Sequence, residues 1–186
     1  PATAPRPTVR LVAVARLRAT PPADTVPPVA RDLRDREILS PKSARFAADG
    51  ATLWINALEG GTTVVYDFPS LEKRPSIVHR FRARDAALFA GATTVFGQAW
   101  PAGLAPGADP NVFVGRPVES ALSVDGRWLF VPYYRRSFDR DAVGPSALAV
   151  IDAASGRIAR VLPTAPIPQY VAPSPAGRLL PVTPRG

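Results

Sequence analysis

The sequence feature that most constrains the fold is the stretch of residues 120–163, in which four short apolar runs are separated by three breaks. The runs lie around residues 121–124, 128–133, 147–151 and 158–162. The first and third breaks are short and contain Gly126 and Gly156, and glycine supplies the positive φ that tight hairpin turns need. The middle break, residues 134–146, is longer and polar. Four strands joined in this order form one antiparallel meander of about 45 residues, which is the size of a propeller blade.

Three segments of the chain align on a glycine, at Gly50, Gly126 and Gly177. In each copy a proline stands nine residues before the glycine, a leucine three residues after it, and an isoleucine or valine five residues after it. A second motif recurs at residues 63–67 and 148–152, followed in both copies by a turn and another apolar run. Stacking such blades about an axis buries sheet faces that one blade leaves exposed. The expected core between blades comprises Leu53, Ile55, Leu129 and Val131. We therefore predict an all-β fold, a β-propeller of four-stranded antiparallel blades, incomplete in this chain, with about two full blades and a partial third.

Residues 1–38 lack this repeat and are rich in proline. We predict an extended tail, a strand at residues 9–17, where apolar residues alternate loosely, and a proline-rich linker. A charged run follows at residues 31–37, where we expect a short helical turn or a solvated loop. The sequence thus divides into an N-terminal region, residues 1–38, and the propeller repeats, residues 39–186.

The repeats are interrupted by residues 82–116, which are rich in Gly, Ala and Pro. We predict an ordered insertion between two blades, with a short helix at residues 83–89. In a four-stranded meander, the loop after the second strand and the connections between blades emerge at one end of the sheet. The insertion and the loop at residues 134–146 should therefore share this end, which we call the loop-rich face. Loops carried by a rigid scaffold are where binding sites commonly form.

Four segments carry a resemblance to a known family, two of them matching the first part of its repeat and two the second. The motifs are DGATLWIN at residues 49–56, DGRWLFVP at residues 125–132, AVID at residues 149–152 and IARVLP at residues 158–163. They resemble the bacterial and archaeal β-propeller repeats named YVTN after their strand motif, over residues 39–186 outside the insertion. The third copy departs from the pattern, because Ala176 replaces the usual aspartate. The resemblance implies the fold and a periplasmic or cell-surface location, and it says little about a ligand because the matching residues occupy turn and core positions.

Composition excludes several kinds of site. The chain has no cysteine, which excludes disulfides and thiolate metal sites. His79 is the only histidine, so a multi-histidine metal site is excluded, and we expect a packed or solvated residue of an outer strand. No apolar run is long enough to cross a bilayer. We predict no metal and no cofactor.

Because the sequence begins at Pro1 and has no methionine, we expect an exported protein, periplasmic or extracellular, whose signal has been removed.

Candidate binding residues lie on the loop-rich face. The polar loop begins with tyrosines interleaved with arginines, a pattern that can stack on bases or sugars and bind anions. Nearby carboxylates can bind a cation or take part in acid–base chemistry. The candidate partner-binding residues are Tyr133, Tyr134, Arg135, Arg136, Arg140, Glu119 and Asp85. In the alternative interpretation, the tyrosines pack on neighbouring blades and Arg–Asp pairs solvate the loop. No catalytic residue is predicted.

The leading hypothesis is a non-enzymatic β-propeller scaffold that binds a protein, polysaccharide or other macromolecular partner through its loop-rich face. The resemblance also implies an alternative, a propeller enzyme or cofactor-binding propeller similar to lactonases or haem-binding propeller domains. The net charge of +8 raises a third hypothesis, single-stranded nucleic-acid binding, which predicts a steep salt dependence. Self-association, or a second chain that completes the propeller, is expected because an open propeller exposes sheet edges and faces.

Overall fold

The computed structural model describes residues 13, 15–20, 31–89, 94–95, 98–99, 112–136, 141 and 144–185. The chain forms two compact units, Pro1–Arg36 and Glu37–Gly186.

The first unit contains two short parallel strands, β1 (Arg16–Arg18) and β2 (Asp32–Arg34). Asp32 pairs with Arg18 and lies 3.8 Å from Arg16, so one carboxylate joins the two strands. The expectation of a helical turn or loop throughout residues 31–37 is therefore wrong over β2, because pairing with β1 satisfies its backbone groups. Of the strand predicted at residues 9–17, Arg16 and Leu17 lie in β1, residues 13 and 15 lie in no strand, and the others fall outside the described residues.

The first blade is an antiparallel sheet of four strands in sequence order. The strands are β3 (Pro41–Phe46), β4 (Thr52–Ala57), β5 (Thr62–Asp67) and β6 (Lys73–Val78). β4 and β5 are almost wholly buried, which fits their apolar, β-branched sequences. Gly50, at the turn between β3 and β4, has a φ of +73°, as predicted for the repeated glycine.

The connection to the second blade begins at His79 and continues through β7 (Arg80–Arg82) and a 3-10 helix (Ala83–Phe89). The predicted short helix is therefore confirmed. Two very short strands follow, β8 (Thr94–Val95) and β9 (Gln98–Ala99), and then β10 (Val112–Pro117). β10 pairs with β7 on one side and with the second blade on the other, so the end of the predicted insertion is part of a sheet.

The second blade contains β11 (Ala121–Leu122), β12 (Trp128–Arg136), β13 (Ser146–Asp152) and β14 (Ile158–Thr164), all antiparallel to their neighbours. The four apolar runs of the sequence correspond to these four strands. The predicted loop at residues 134–146 begins too early, because β12 continues to Arg136 by pairing with β10.

A hairpin follows the second blade, formed by β15 (Pro168–Val171) and β16 (Val182–Pro184). Gly177 lies in its turn with a φ of +68°, matching the glycine of the other copies. Two four-stranded antiparallel units and this hairpin confirm the predicted fold class, a partial β-propeller. Within the described residues, no helix combines the length and apolar character that crossing a membrane requires.

The main core lies between the first two blades. It includes Trp54 and Val65 from the first blade and Leu129 and Val131 from the second. All four residues predicted as inter-blade core are buried. Trp54 packs against the second blade. Because side chains alternate along a strand, Leu53 and Ile55 on either side of Trp54 face the other way, and they lie outside this core. A smaller cluster of Ala121, Leu148 and Val171 joins the second blade to the β15–β16 hairpin, called the third hairpin because it carries the third copy of the repeat.

Candidate functional site

A chain of buried polar side chains runs beneath the loop-rich face. It consists of Asn56 at the end of β4, Thr63 at the start of β5, His79 after β6, and Tyr133 in β12. The Thr63 hydroxyl lies 2.6 Å from Asn56 Oδ1 and 2.8 Å from His79 Nε2, and His79 Nδ1 lies 2.9 Å from the Tyr133 hydroxyl. All four residues are buried. We call them the interblade network, because Tyr133 belongs to the second blade and the other three do not.

Asn56 and the neutral state of His79 together fix the direction of the hydrogen bonds in the network. Its Oδ1 can only accept, so Thr63 donates its single hydroxyl proton to Asn56. Thr63 must then accept from His79 Nε2–H. Because burial keeps the imidazole neutral, Nδ1 has no proton and accepts from the Tyr133 hydroxyl.

The other end of the network also reaches the second blade. Asn56 Nδ2 donates to the carbonyl oxygens of Val118 at 2.9 Å and Glu119 at 3.1 Å. It also lies 3.1 Å from the Ser43 hydroxyl, which donates to Val118 O at 2.6 Å. Buried polar groups cost free energy unless they are paired, and here the polar atoms of the network have partners. The network thus aligns the two blades through directional bonds.

Burial controls the protonation of both ring-bearing members. It lowers the pKa of His79 from 6.5 to about 3, and it raises the pKa of Tyr133 well above its usual value. Both groups are therefore neutral at physiological pH. Tyr133 was predicted to contact a partner, and this prediction is wrong, because its side chain has no exposed surface and its hydroxyl bonds to His79.

An arginine–glutamate cluster lies at the same end of the blades. Glu59 sits in the turn between β4 and β5, and it meets Arg116 of β10 and Arg135 of β12. Arg135 Nη2 lies 3.0 Å from Glu59 Oε1, and Arg116 Nη1 lies 3.7 Å from Glu59 Oε2. Arg116 Nη1 also donates to the backbone carbonyls of Glu59 and Leu58. Two guanidinium groups, one from β10 and one from the second blade, thus converge on one carboxylate of the first blade.

Positive charge exceeds negative charge in this cluster. Partial burial lowers the pKa of Arg116, Glu59 opposes that shift, and the nearby Arg135 and Arg80 reinforce it. Two arginines therefore meet one carboxylate, and Arg80 adds a third positive charge near Arg116. Arg116 Nε is buried and has no hydrogen-bond partner among the residues that the structure describes. A guanidinium presents several donors in a fixed plane, and that of Arg116 leaves its Nε–H without an acceptor among these residues.

The remaining predicted residues are more dispersed. Glu119 and Tyr134 are half-buried, and Glu119 contributes its backbone carbonyl to the interblade network. Asp85 accepts a hydrogen bond from the backbone N–H of Arg82 at 2.8 Å, so its carboxylate anchors the start of the 3-10 helix. Arg136 has its backbone in β12. Arg140 lies outside the described residues.

Asp85 also borders an open cleft of about 350 Å³ between β6, the 3-10 helix and the turn before β14. Its lining combines Ile77, Phe81 and Leu88 with the charged side chains of Arg80 and Asp85. Across the described ranges, no three His, Asp or Glu side chains are grouped as metal ligands.

The sequence analysis identified Arg135 but missed the other two members of the cluster, Glu59 and Arg116. Glu59 resembles an ordinary residue of a Glu-Gly-Gly turn, and Arg116 falls inside the predicted insertion. A usable signal did exist, since the turn after the second strand of one blade and the connection into the next blade meet at the loop-rich face. Arg116 immediately precedes Pro117, the residue that begins the repeated unit.

Comparison with known proteins supports the fold. No family model matches the sequence, and no curated protein matches it. Hydrazine synthase of Kuenenia stuttgartiensis is similar in structure, with a TM-score of 0.52 and 16% identity over 80% of this chain and 30% of that one. A 6-phosphogluconolactonase-like protein of Bacteroides uniformis has a TM-score of 0.48 and 16% identity over 80% of this chain and 34% of its own. The periplasmic gluconolactonase of Pseudomonas aeruginosa has a TM-score of 0.44 and 21% identity over 76% and 32%.

These likenesses concern the fold alone, because all three identities are low. The chain spans about a third of the length of the solved structures that it matches. The resemblance to YVTN repeats stays a prediction.

Proposed function

We propose that this chain is part of a non-enzymatic β-propeller scaffold that binds an acidic segment of a protein partner through its loop-rich face. The observation that carries the proposal is the convergence of Arg116 and Arg135 on Glu59. The chain itself demonstrates that this pair of guanidinium groups accepts a carboxylate. Both arginines project from strands of a packed sheet, which gives a binding site the rigid support it needs.

Catalysis has less support from the same residues. The only histidine is enclosed, and with a pKa of about 3 it is a weak base at neutral pH. Its two ring nitrogens are both engaged in the interblade network. Some structural neighbours are named gluconolactonases, so the enzymatic alternative predicts lactone hydrolysis by the propeller, whereas the scaffold proposal predicts none.

Nucleic-acid binding is also less favoured. Burial of Tyr133 removes one of the aromatic rings on which a base could stack. The anionic group that Arg135 holds in the fold is a carboxylate, that of Glu59, rather than a phosphate.

Fluorescence anisotropy with labelled hexaglutamate tests the proposal, and labelled oligothymidylate serves as the competing probe. We expect Arg135→Gln to weaken hexaglutamate binding about tenfold, the loss expected for a charged hydrogen bond. Arg178→Gln is the matched control, because it removes the same charge from an exposed residue in the turn of the third hairpin. Equal binding by wild type and Arg135→Gln would contradict the proposal. So would stronger binding of oligothymidylate with a steep salt dependence.

Two further expectations accompany this proposal. Export to the periplasm or cell surface stays a prediction, which cell fractionation would test. Self-association, or completion of the propeller by a second chain, is supported by the exposed apolar side chains of Tyr170 and Leu179 on the third hairpin. Light scattering of the native particle would separate a discrete oligomer from a monomer.

A further inference from the structure

We infer that Glu59 is a built-in ligand of the arginine site, and that a carboxylate from the partner binds by displacing it. The inference rests on the proposed function, because it concerns how the same site is filled before the partner arrives. Glu59 would then act as an intramolecular competitor that lowers the affinity for anions.

The three members of the site differ in exposure. The Glu59 side chain is 46% exposed, whereas those of Arg116 and Arg135 are 17% and 19% exposed. Glu59 is borne by a turn, and both arginines are borne by paired strands. Rotation of the Glu59 side chain into solvent therefore requires no change in a sheet. The carboxylate is the member of the cluster that can leave.

The site persists after the carboxylate leaves. Arg116 donates to the main-chain carbonyls of Leu58 and Glu59, and a rotation of the Glu59 side chain does not move them. The turn that carries these carbonyls is closed by hydrogen bonds from Gly61 N to the carbonyls of Ala57 and Leu58. Arg116 therefore stays in position for an incoming anion, which lowers the ordering cost of binding.

The charge balance favours replacement by a stronger ligand. One carboxylate at 3.0 Å and 3.7 Å does not neutralise Arg80, Arg116 and Arg135 together. A segment with several carboxylates can engage Arg135 and Arg116 while a second carboxylate approaches Arg80, which is exposed. A single side chain such as Glu59 cannot supply both charges. An acidic peptide is thus the ligand class that fits, and inorganic phosphate is the control for simple anion binding.

The test compares Glu59→Gln with Glu72→Gln by hexaglutamate anisotropy and by titration of inorganic phosphate. Glu72 is exposed in the turn before β6, at the opposite end of the blade, so its substitution changes the net charge equally. We expect Glu59→Gln to bind hexaglutamate roughly three- to fivefold more tightly than wild type, as removal of a partly exposed ion pair allows. Glu72→Gln should bind as wild type does. Urea unfolding of each variant checks the fold, and Glu59→Ser replaces Glu59→Gln if the latter fails to fold.

The outcomes separate this inference from the proposed function. If Arg135→Gln loses binding while Glu59→Gln binds no better than wild type, the built-in ligand is refuted and the acidic-partner site remains. If Arg135→Gln has no effect, both are refuted. If Glu59→Gln gains affinity for phosphate but not for hexaglutamate, the site selects a small anion and displacement by an acidic peptide is refuted.

Discussion

Mild acid should destabilise the fold through one residue, His79. In the unfolded chain its imidazole has a pKa of 6.5, and in the fold burial lowers that pKa to about 3. Above pH 6.5 the imidazole is neutral in both states and contributes no pH dependence. Below 6.5 only the unfolded state takes up the proton, so stability falls as the pH falls, until the folded pKa is reached. At about pH 5, which is about 1.5 pH units below the unfolded pKa, the unfolding free energy has fallen by about 2 kcal/mol, because each pH unit in this range corresponds to about 1.4 kcal/mol.

The assay is urea unfolding at several pH values between about 7.5 and 5, a window in which His79 dominates because the chain has no other histidine. His79→Gln is the control, since glutamine does not titrate. We expect the free energy of unfolding to fall with pH in wild type and to stay nearly flat in this variant. The ring protons of His79 should also show no titration shift over the window in NMR spectra of the folded protein. A shift with a midpoint near 6.5, or an equal slope in both proteins, would refute the buried neutral imidazole.

Two substitutions test the packing and polarity of the same region. Gly115→Ala should destabilise the fold by about 1–3 kcal/mol in urea unfolding, because a Cβ there would lie 2.5 Å from the Tyr133 ring; unchanged stability would contradict this close approach. Asn56→Asp should cost about 3 kcal/mol or more at neutral pH, since its carboxylate would face the carbonyls of Val118 and Glu119. This loss of unfolding free energy relative to wild type should shrink as the pH falls, because the buried carboxylate becomes protonated. A loss independent of pH would contradict the assignment of the Asn56 amide.

The fold was predictable because its signals are local and repeated. Each glycine of the repeat has a positive φ in a short turn, and each apolar run between such turns became a strand. Turn chemistry and period-two patterning act over a few residues, so they can be recognised in a single sequence. β2 was missed for the opposite reason. Its residues are charged, and they form a strand because β1 lies beside them, which no pattern within residues 31–37 reveals.

The site was less predictable because it is assembled from distant positions. Tyr133 and Arg135 are two residues apart in one strand, yet one belongs to the interblade network and the other to the arginine site. The extension of β12 to Arg136 determines which of the two tyrosines is buried. That extension depends on pairing with β10, a strand that was not predicted from the sequence. Asn56 offered a weak signal, as a polar residue inside the apolar run of β4.

The interblade network and the arginine site share their supporting strands, which gives the buried network a functional consequence. Tyr133 and Arg135 lie two residues apart in β12, at the irregularity in its pairing with β10. The Tyr133 ring packs directly on Gly115, whose neighbour in the chain is Arg116. The hydrogen bond from Tyr133 to His79 therefore constrains the two backbone segments from which both arginines project. On the opposite blade, Asn56 precedes Glu59 by three residues and is bonded to the carbonyls of Val118 and Glu119. The distances within the arginine site thus depend on a network that contacts neither guanidinium directly, and loosening that network should weaken anion binding without removing a charge.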